Sequence, residues 1–232
     1  MRARQGRSSK GIIVFLFFVT LSSVSLAQER QDNAWKALFT DFSLTASKTL
    51  RVETHVRTKR FMAENDQYLF RPGLTFRLNR FSSLSFGVTF LSTNQPEHRL
   101  YEQNLWQQFA FRVPVKKATF FGWIRVEQRW QKRADDPFGY SARIRFRNGF
   151  EYPLQRATTP SLHFIVFNEV FLSIQKSFPY AYNQNWTFLG LKKKLGSQLT
   201  FLTGFQRTSV PRAEGFLHKN IWSSILFYRP GR

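Results

Sequence analysis

The stretch that decides the fold is YSARIRFRNGFEYPL, Tyr140 to Leu154. Its even positions are Tyr140, Ala142, Ile144, Phe146, Asn148, Phe150, Tyr152 and Leu154, nearly all apolar. Its odd positions are Ser141, Arg143, Arg145, Arg147, Gly149 and Glu151, nearly all polar. Alternation at period two describes a strand with one apolar face and one charged face. Strands in soluble sheets run to about five or six residues. A strand that crosses a bilayer at a tilt needs roughly nine to eleven, and this stretch is long enough.

The pattern recurs on both sides of it. In Thr49–Arg60, Leu50, Val52 and Val56 oppose Arg51, Glu53, His55, Arg57 and Lys59. In Gln67–Asn79, Tyr68, Phe70, Leu74 and Phe76 oppose Leu69, Arg71, Gly73 and Arg77. Ser83–Thr93, Leu100–Val113, Ala118–Lys132, Ser161–Gln175, Asn183–Leu195, Gln198–Thr208 and Lys219–Arg229 complete ten segments. Trp35–Thr45 is an eleventh whose alternation is poor, either a further strand that needs a partner or an arm that plugs or caps. Connections near residues 47, 80, 115, 157 and 196 read as short, and those near 64, 96, 136, 179 and 213 as longer. That is the habit of an outer-membrane barrel with short periplasmic turns. The expected fold is all-β, an antiparallel up-and-down transmembrane β-barrel of 10–12 strands with ten favoured, because such barrels have even strand numbers.

The N-terminus carries Arg2, Arg4, Arg7 and Lys10, then an apolar run from Ile12 to Leu26 ending in Ser25-Leu26-Ala27. This order of charge, apolar run and small-residue site predicts a cleaved signal peptide over residues 1–27, with the barrel in 28–232. An N-terminal anchor is the alternative, but the run is short of the roughly twenty residues a membrane helix needs. The chain has no cysteine, so an exported form would draw its stability from closure of the barrel rather than from disulfides.

Lys and Arg outnumber Asp and Glu by 35 to 14, a formal charge of +21. Such basicity suggests nucleic-acid binding, but here each Arg alternates with Ile, Phe or Val instead of clustering in runs, so nucleic acid is not an expected partner. A soluble, lipocalin-like carrier would show the same alternation turned inside out. Two features favour lipid on the apolar face. The chain holds 27 Phe, and Phe81, Phe90, Phe120, Trp130, Tyr140, Tyr152 and Tyr228 fall where aromatic girdles sit at strand ends. The polar face is rich in Arg, whose fork pairs carboxylates bidentately, as a filled polar interior requires.

The inward positions then form a lumen charge network of Arg51, Glu53, Arg57, Arg71, Arg77, Glu102, Arg125, Glu127, Arg129, Arg143, Arg145, Arg147, Glu151, His163 and Glu169, positive in sum. Three functions follow from it. A salt-bridged plug would make the barrel structural and narrow. Uncompensated Arg would make it an anion-binding or anion-selective pore with small anions in the lumen. A lipid-modifying enzyme would need a nucleophile, a base and an orienting group within reach. Gly-x-Ser-x-Gly is absent, and the four His lie one per segment, so neither a catalytic residue nor a metal site is assigned and no cofactor is expected. Expected partners are outer-membrane lipid and the barrel-assembly machinery.

Arg71-Pro72-Gly73, Glu102-Gln103, Glu127-Gln128-Arg129, Arg143-Ile144-Arg145-Phe146-Arg147, Asn168-Glu169-Val170-Phe171 and Asn183-Gln184-Asn185 occur in an order that resembles the domain of unknown function 2490 family across the region after the signal peptide. The resemblance implies an outer-membrane β-barrel of Gram-negative bacteria with no assigned activity. One departure is Asn185-Trp186, where the family tends to have Asn followed by Arg.

Overall fold

The computed structural model describes residues 30–133, 136–155, 161–175, 181–213 and 215–231; the expected signal peptide lies outside them. The chain forms eleven strands. They are β1 (Arg30–Ser43), β2 (Lys48–Lys59), β3 (Glu64–Arg77), β4 (Ser82–Asn94), β5 (Arg99–Val115), β6 (Ala118–Arg133), β7 (Gly139–Pro153), β8 (Leu162–Ser173), β9 (Tyr182–Lys194), β10 (Leu199–Arg212) and β11 (Gly215–Tyr228). Each pairs with its sequence neighbour antiparallel, and β1 pairs with β11 in parallel to close the barrel.

The eleven strands fall within the expected 10–12, one more than the favoured ten. One feature departs from the antiparallel expectation: the closing seam is parallel. The segment with poor alternation is the closing strand. Its backbone N–H and C=O groups need partners, and a closed seam leaves no edge unpaired. An odd strand number also sends the two ends of the barrel chain to opposite rims. β1 begins at what we term the N-terminal rim, and β11 ends at the C-terminal rim. The expected contrast of short and long connections is weak. Residues 213–214 alone link β10 to β11 at the N-terminal rim, whereas residues 154–161 link β7 to β8 at the C-terminal rim.

The alternation places apolar side chains outward. Leu38, Phe70, Phe86, Phe90, Leu105, Phe109, Ile124, Phe150, Phe164, Leu189, Phe205 and Trp222 are all exposed. One oblique row breaks this belt. Asn148 pairs in register with Asn168, Asn168 with Thr187, Thr187 with Arg207, Arg207 with Asn220, and Asn220 with Asp32. This row faces outward across β7, β8, β9, β10, β11 and β1.

Inward positions near the middle of the strands are mostly buried or half-buried. A barrel of about eight strands is just filled by its side chains, so eleven strands need large ones. Trp106 supplies one of them, resting on two glycines. A Cβ at Gly73 or Gly87 would collide with its indole ring, and at Gly87 also with the Pro72 carbonyl oxygen.

Candidate functional site

The lumen has a charged wall on β2 to β8. Arg143, Arg145 and Arg147 point inward along β7, between the carboxylates of two flanking strands. Glu127 of β6 and Glu169 of β8 are both 0% exposed. Arg143 Nε donates to Glu127 Oε2 at 2.5 Å, and Arg145 Nη1 donates to Glu127 Oε1 at 2.7 Å. Arg145 Nε donates to Glu169 Oε1 at 2.6 Å, and Arg147 Nε to Glu169 Oε2 at 2.8 Å. A carboxylate taken wholly out of water is tolerable only with such partners, because its desolvation costs several kcal/mol even after relaxation, on the order of the attraction itself.

Smaller ion pairs extend the wall. Arg129 grips Glu102 with Nε at 2.9 Å and Nη2 at 2.7 Å, and Gln131 Nε2 adds a third bond at 2.8 Å. Arg71 Nη1 donates to Glu53 Oε2 at 3.1 Å, with His55 Nε2 3.5 Å from the same oxygen. Arg125 lies between the rings of Trp106 and Trp123, 4.6 and 4.9 Å from their centroids, and donates twice to Gln108 Oε1. Towards the C-terminal rim Glu151 takes Arg112 at 2.6 Å and Lys192, with His163 Nδ1 3.9 Å away.

Two acids missing from the expected network belong to the lumen. Asp41 of β1 accepts Arg51 Nε at 2.6 Å, and Asp66 of β3 pairs with Lys59 at 3.0 Å. The sequence hides both: Asp41 lies on the strand of poor alternation, and Asp66 follows the register shift after Arg57. Two expected members behave differently from the rest. Arg77 is exposed at the C-terminal rim, where it donates to the Ala46 carbonyl. Arg57 donates through Nη1 to Gln67 Oε1 at 2.8 Å and pairs with no carboxylate among the described residues.

The opposite wall, from β8 round to β1, carries a buried apolar cluster of Ile165, Phe167, Phe188 and Leu202, joined by Phe121 of β6, with Ile225 and Phe227 packed on it. Phe167 and Phe188 stack at 4.9 Å, and Phe39 meets Phe227 edge-on at 5.0 Å.

Aromatic rings also bridge the lumen. Trp35 of β1 meets Trp186 of β9 edge-on at 5.2 Å, although β10 and β11 stand between them in the sheet. Trp186 in turn lies 4.7 Å from Phe171 and 5.5 Å from the Arg145 guanidinium. A bar of side chains thus runs from Arg57 and Trp35 through Trp186 to Arg145 and Glu127. Trp186 occupies the place where the resembled family tends to have Arg, and it does so as the centre of this bar. Beside the bar and the charged wall lies a cavity of about 640 Å³.

A Ser–His pair is also present. Ser209 Oγ and His218 Nδ1 lie 3.0 Å apart on β10 and β11. Both face outward, and among the described residues no carboxylate pairs with His218.

A family model for proteins of unknown function, DUF2490, matches residues 32–217. The chain belongs to this family. Within this DUF2490 chain the match runs from β1 into β11 and so takes in the charged wall, the bar and most of the apolar wall. Among solved structures it is similar to the translocator domain of autotransporter NalP from Neisseria meningitidis. That likeness has 12% identity and a TM-score of 0.38, covering 76% of this chain and 72% of that one. No curated protein matches it.

Proposed function

We propose that this DUF2490 chain is an exported outer-membrane β-barrel whose lumen is closed, a structural or narrow barrel rather than an open channel. The observation that carries the reading is the opposition of its two faces. Large apolar side chains such as Phe70, Phe86, Phe109, Ile124, Phe150 and Leu189 are exposed outside, while Glu127 and Glu169 are fully buried inside. Soluble monomers rarely expose contiguous apolar patches beyond a few hundred Å², on the order of 300–600 at most. A closed barrel satisfies its backbone internally, as hydrocarbon demands. Outer-membrane lipid would cover the belt, and the barrel-assembly machinery would insert it.

The bar from Arg57 to Glu127 and the Phe188 cluster support a closed lumen. An anion-selective pore built on Arg143, Arg145 and Arg147 is less favoured, because Glu127 and Glu169 already engage all three. A lipid-modifying enzyme has only the incomplete Ser209–His218 pair behind it. The test is membrane fractionation of the expressed chain, gel mobility with and without boiling, then conductance in planar bilayers. Outer-membrane recovery, a heat-modifiable band and no conductance are expected. Recovery in the periplasm would turn the barrel into a soluble carrier, and steady anion current would reject closure.

A further inference from the structure

We propose that the lumen holds a binding site for a small polar molecule bearing a phosphate or carboxylate group, on the N-terminal-rim side of the Trp35–Trp186 bar. The inference goes beyond the closed-barrel reading and needs no assumption about what covers the outer face.

The site begins with an unpartnered group. Asn33 of β1 is 2% exposed and lines the cavity, yet neither its Nδ2 nor its Oδ1 has a hydrogen-bond partner. Its neighbours repeat the pattern. Trp35 Nε1 and Arg57 Nε are likewise buried without partners. Such groups are uncommon in native interiors, and each costs about 1–3 kcal/mol if nothing meets it. Three of the four unmet atoms carry N–H donors, which suits an anion's oxygens.

Charge points the same way. In register Asn33 pairs with Ile221 of β11 and Gln31 with Lys219, while Lys59 follows the Ala34–Thr58 pair on β2, so both lysines stand at the N-terminal-rim end of these ladders. Asn33 and Lys219 line the cavity. Lys59 pairs with Asp66 at 3.0 Å. Arg57 and Lys219 have no ion pair among the described residues, so three cations at this end of the lumen share one carboxylate.

The stacking of Arg57 also leaves it able to bind. Its guanidinium lies over the Trp35 ring, 4.1 Å from the centroid. Contact through the face of the fork fixes its plane, and with Nη1 on Gln67 it leaves Nε to meet an oxyanion. The cavity of about 640 Å³ runs along both sides of the bar, and the site is its N-terminal-rim part, where Asn33, Trp35, Arg57 and Lys219 line it. By contrast, Arg143, Arg145 and Arg147 have carboxylate partners and little left to offer.

The test uses the full chain recovered from membranes in a neutral detergent, with heat-modifiable mobility as the check on folding. Inorganic phosphate, succinate and uncharged glycerol are titrated by calorimetry, with tryptophan emission as a second readout because Trp35 and Trp186 floor the site. Saturable one-to-one binding of phosphate or succinate, but not glycerol, is expected; the tighter of the two identifies the anionic group. Arg57→Gln combined with Lys219→Gln should weaken it at least tenfold, whereas Lys117→Gln at the C-terminal rim should leave it unchanged. The proposal is overturned if the folded barrel binds neither anion, if the double variant binds as well as the parent, or if Lys117→Gln weakens binding equally. Failure of the membrane reading would show separately, in fractionation.

Discussion

Arg145 ties Glu127 to Glu169 across β7, donating to Glu127 Oε1 at 2.7 Å and to Glu169 Oε1 at 2.6 Å. Neither carboxylate has water to fall back on. Glu169→Gln would leave Arg145 and Arg147 buried with one anion too few. The expected loss is about 3–5 kcal/mol of stability, the usual cost of breaking a buried pair from one side. Denaturant unfolding of the detergent-solubilised barrel reads it directly. A shift worth under ~1 kcal/mol, the size of a surface pair, would mean that water reaches this wall.

The seat of Trp106 on Gly73 and Gly87 gives a second expectation. Gly87→Ala puts a methyl group into the indole ring and the Pro72 carbonyl. Overpacking of this kind costs about 1–3 kcal/mol. Combining it with Trp106→Leu should recover part of the loss, since the ring is one of the two obstacles. Stability of Gly87→Ala equal to the parent would show that Trp106 sits elsewhere.

Closure by a parallel seam can be tested because the chain has no cysteine of its own. Lys36 and Ser224 are register partners across β1 and β11, and both face outward. Lys36→Cys with Ser224→Cys should therefore cross-link under mild oxidation, since neighbouring strands lie about 4.7–4.9 Å apart and a disulfide spans Cα separations of about 4.4–6.8 Å. The product is read as a mobility change on an unreduced, boiled gel. If β1 were instead a free arm inside a ten-strand barrel, no intramolecular bond would form.

How far the sequence could be read depended on which wall a strand faces. β2 to β7 place inward charges against apolar exteriors, so period-two alternation exposes both their existence and their inward Arg and Glu. β1 and β9 to β11 border the apolar wall. In β10, Leu202 points in while Phe201 and Phe205 point out, so hydrophobicity no longer alternates. In β1 the contrast is partly inverted, with Trp35, Ala37 and Phe39 inside and Lys36 and Thr40 outside. The parallel seam, the bar through Trp186 and the Asn33 pocket depend on which strands meet across the lumen. No local pattern encodes those meetings.

If the lumen is closed as proposed, Trp186 is the residue on which that closure turns. It contacts Trp35, Phe171 and the Arg145 guanidinium from three sides. Trp186→Ala would remove the middle of the bar and cost about 3–5 kcal/mol if the barrel cannot collapse onto the gap. Single-channel steps should then appear in planar bilayers where the parent gives none. A silent Trp186→Ala barrel that still shows heat-modifiable mobility would shift the seal to the Phe188 and Phe227 side.

Arg207 tests what lies outside β10. It is exposed, and its neighbours Gln206 and Thr208 are buried, so its side chain points away from the lumen. A lipid-facing Arg costs roughly 2–4 kcal/mol at the bilayer midplane and about 0–1 near the interfaces. If lipid covers this face, Arg207→Leu should raise stability, by about 2 kcal/mol for a site between those depths. The gain is measured as a higher denaturant midpoint after refolding into lipid vesicles. A fall in stability would instead mean that Arg207 and its row, from Asn148 to Asp32, meet polar groups of another protein. The outward Asn168–Asn185 pair, joined by reciprocal amide bonds of 3.1 and 3.0 Å, shows how the remaining polar members can be satisfied without leaving the sheet. Arg207 has no such internal partner among the described residues, which makes it the sharpest probe of that surface.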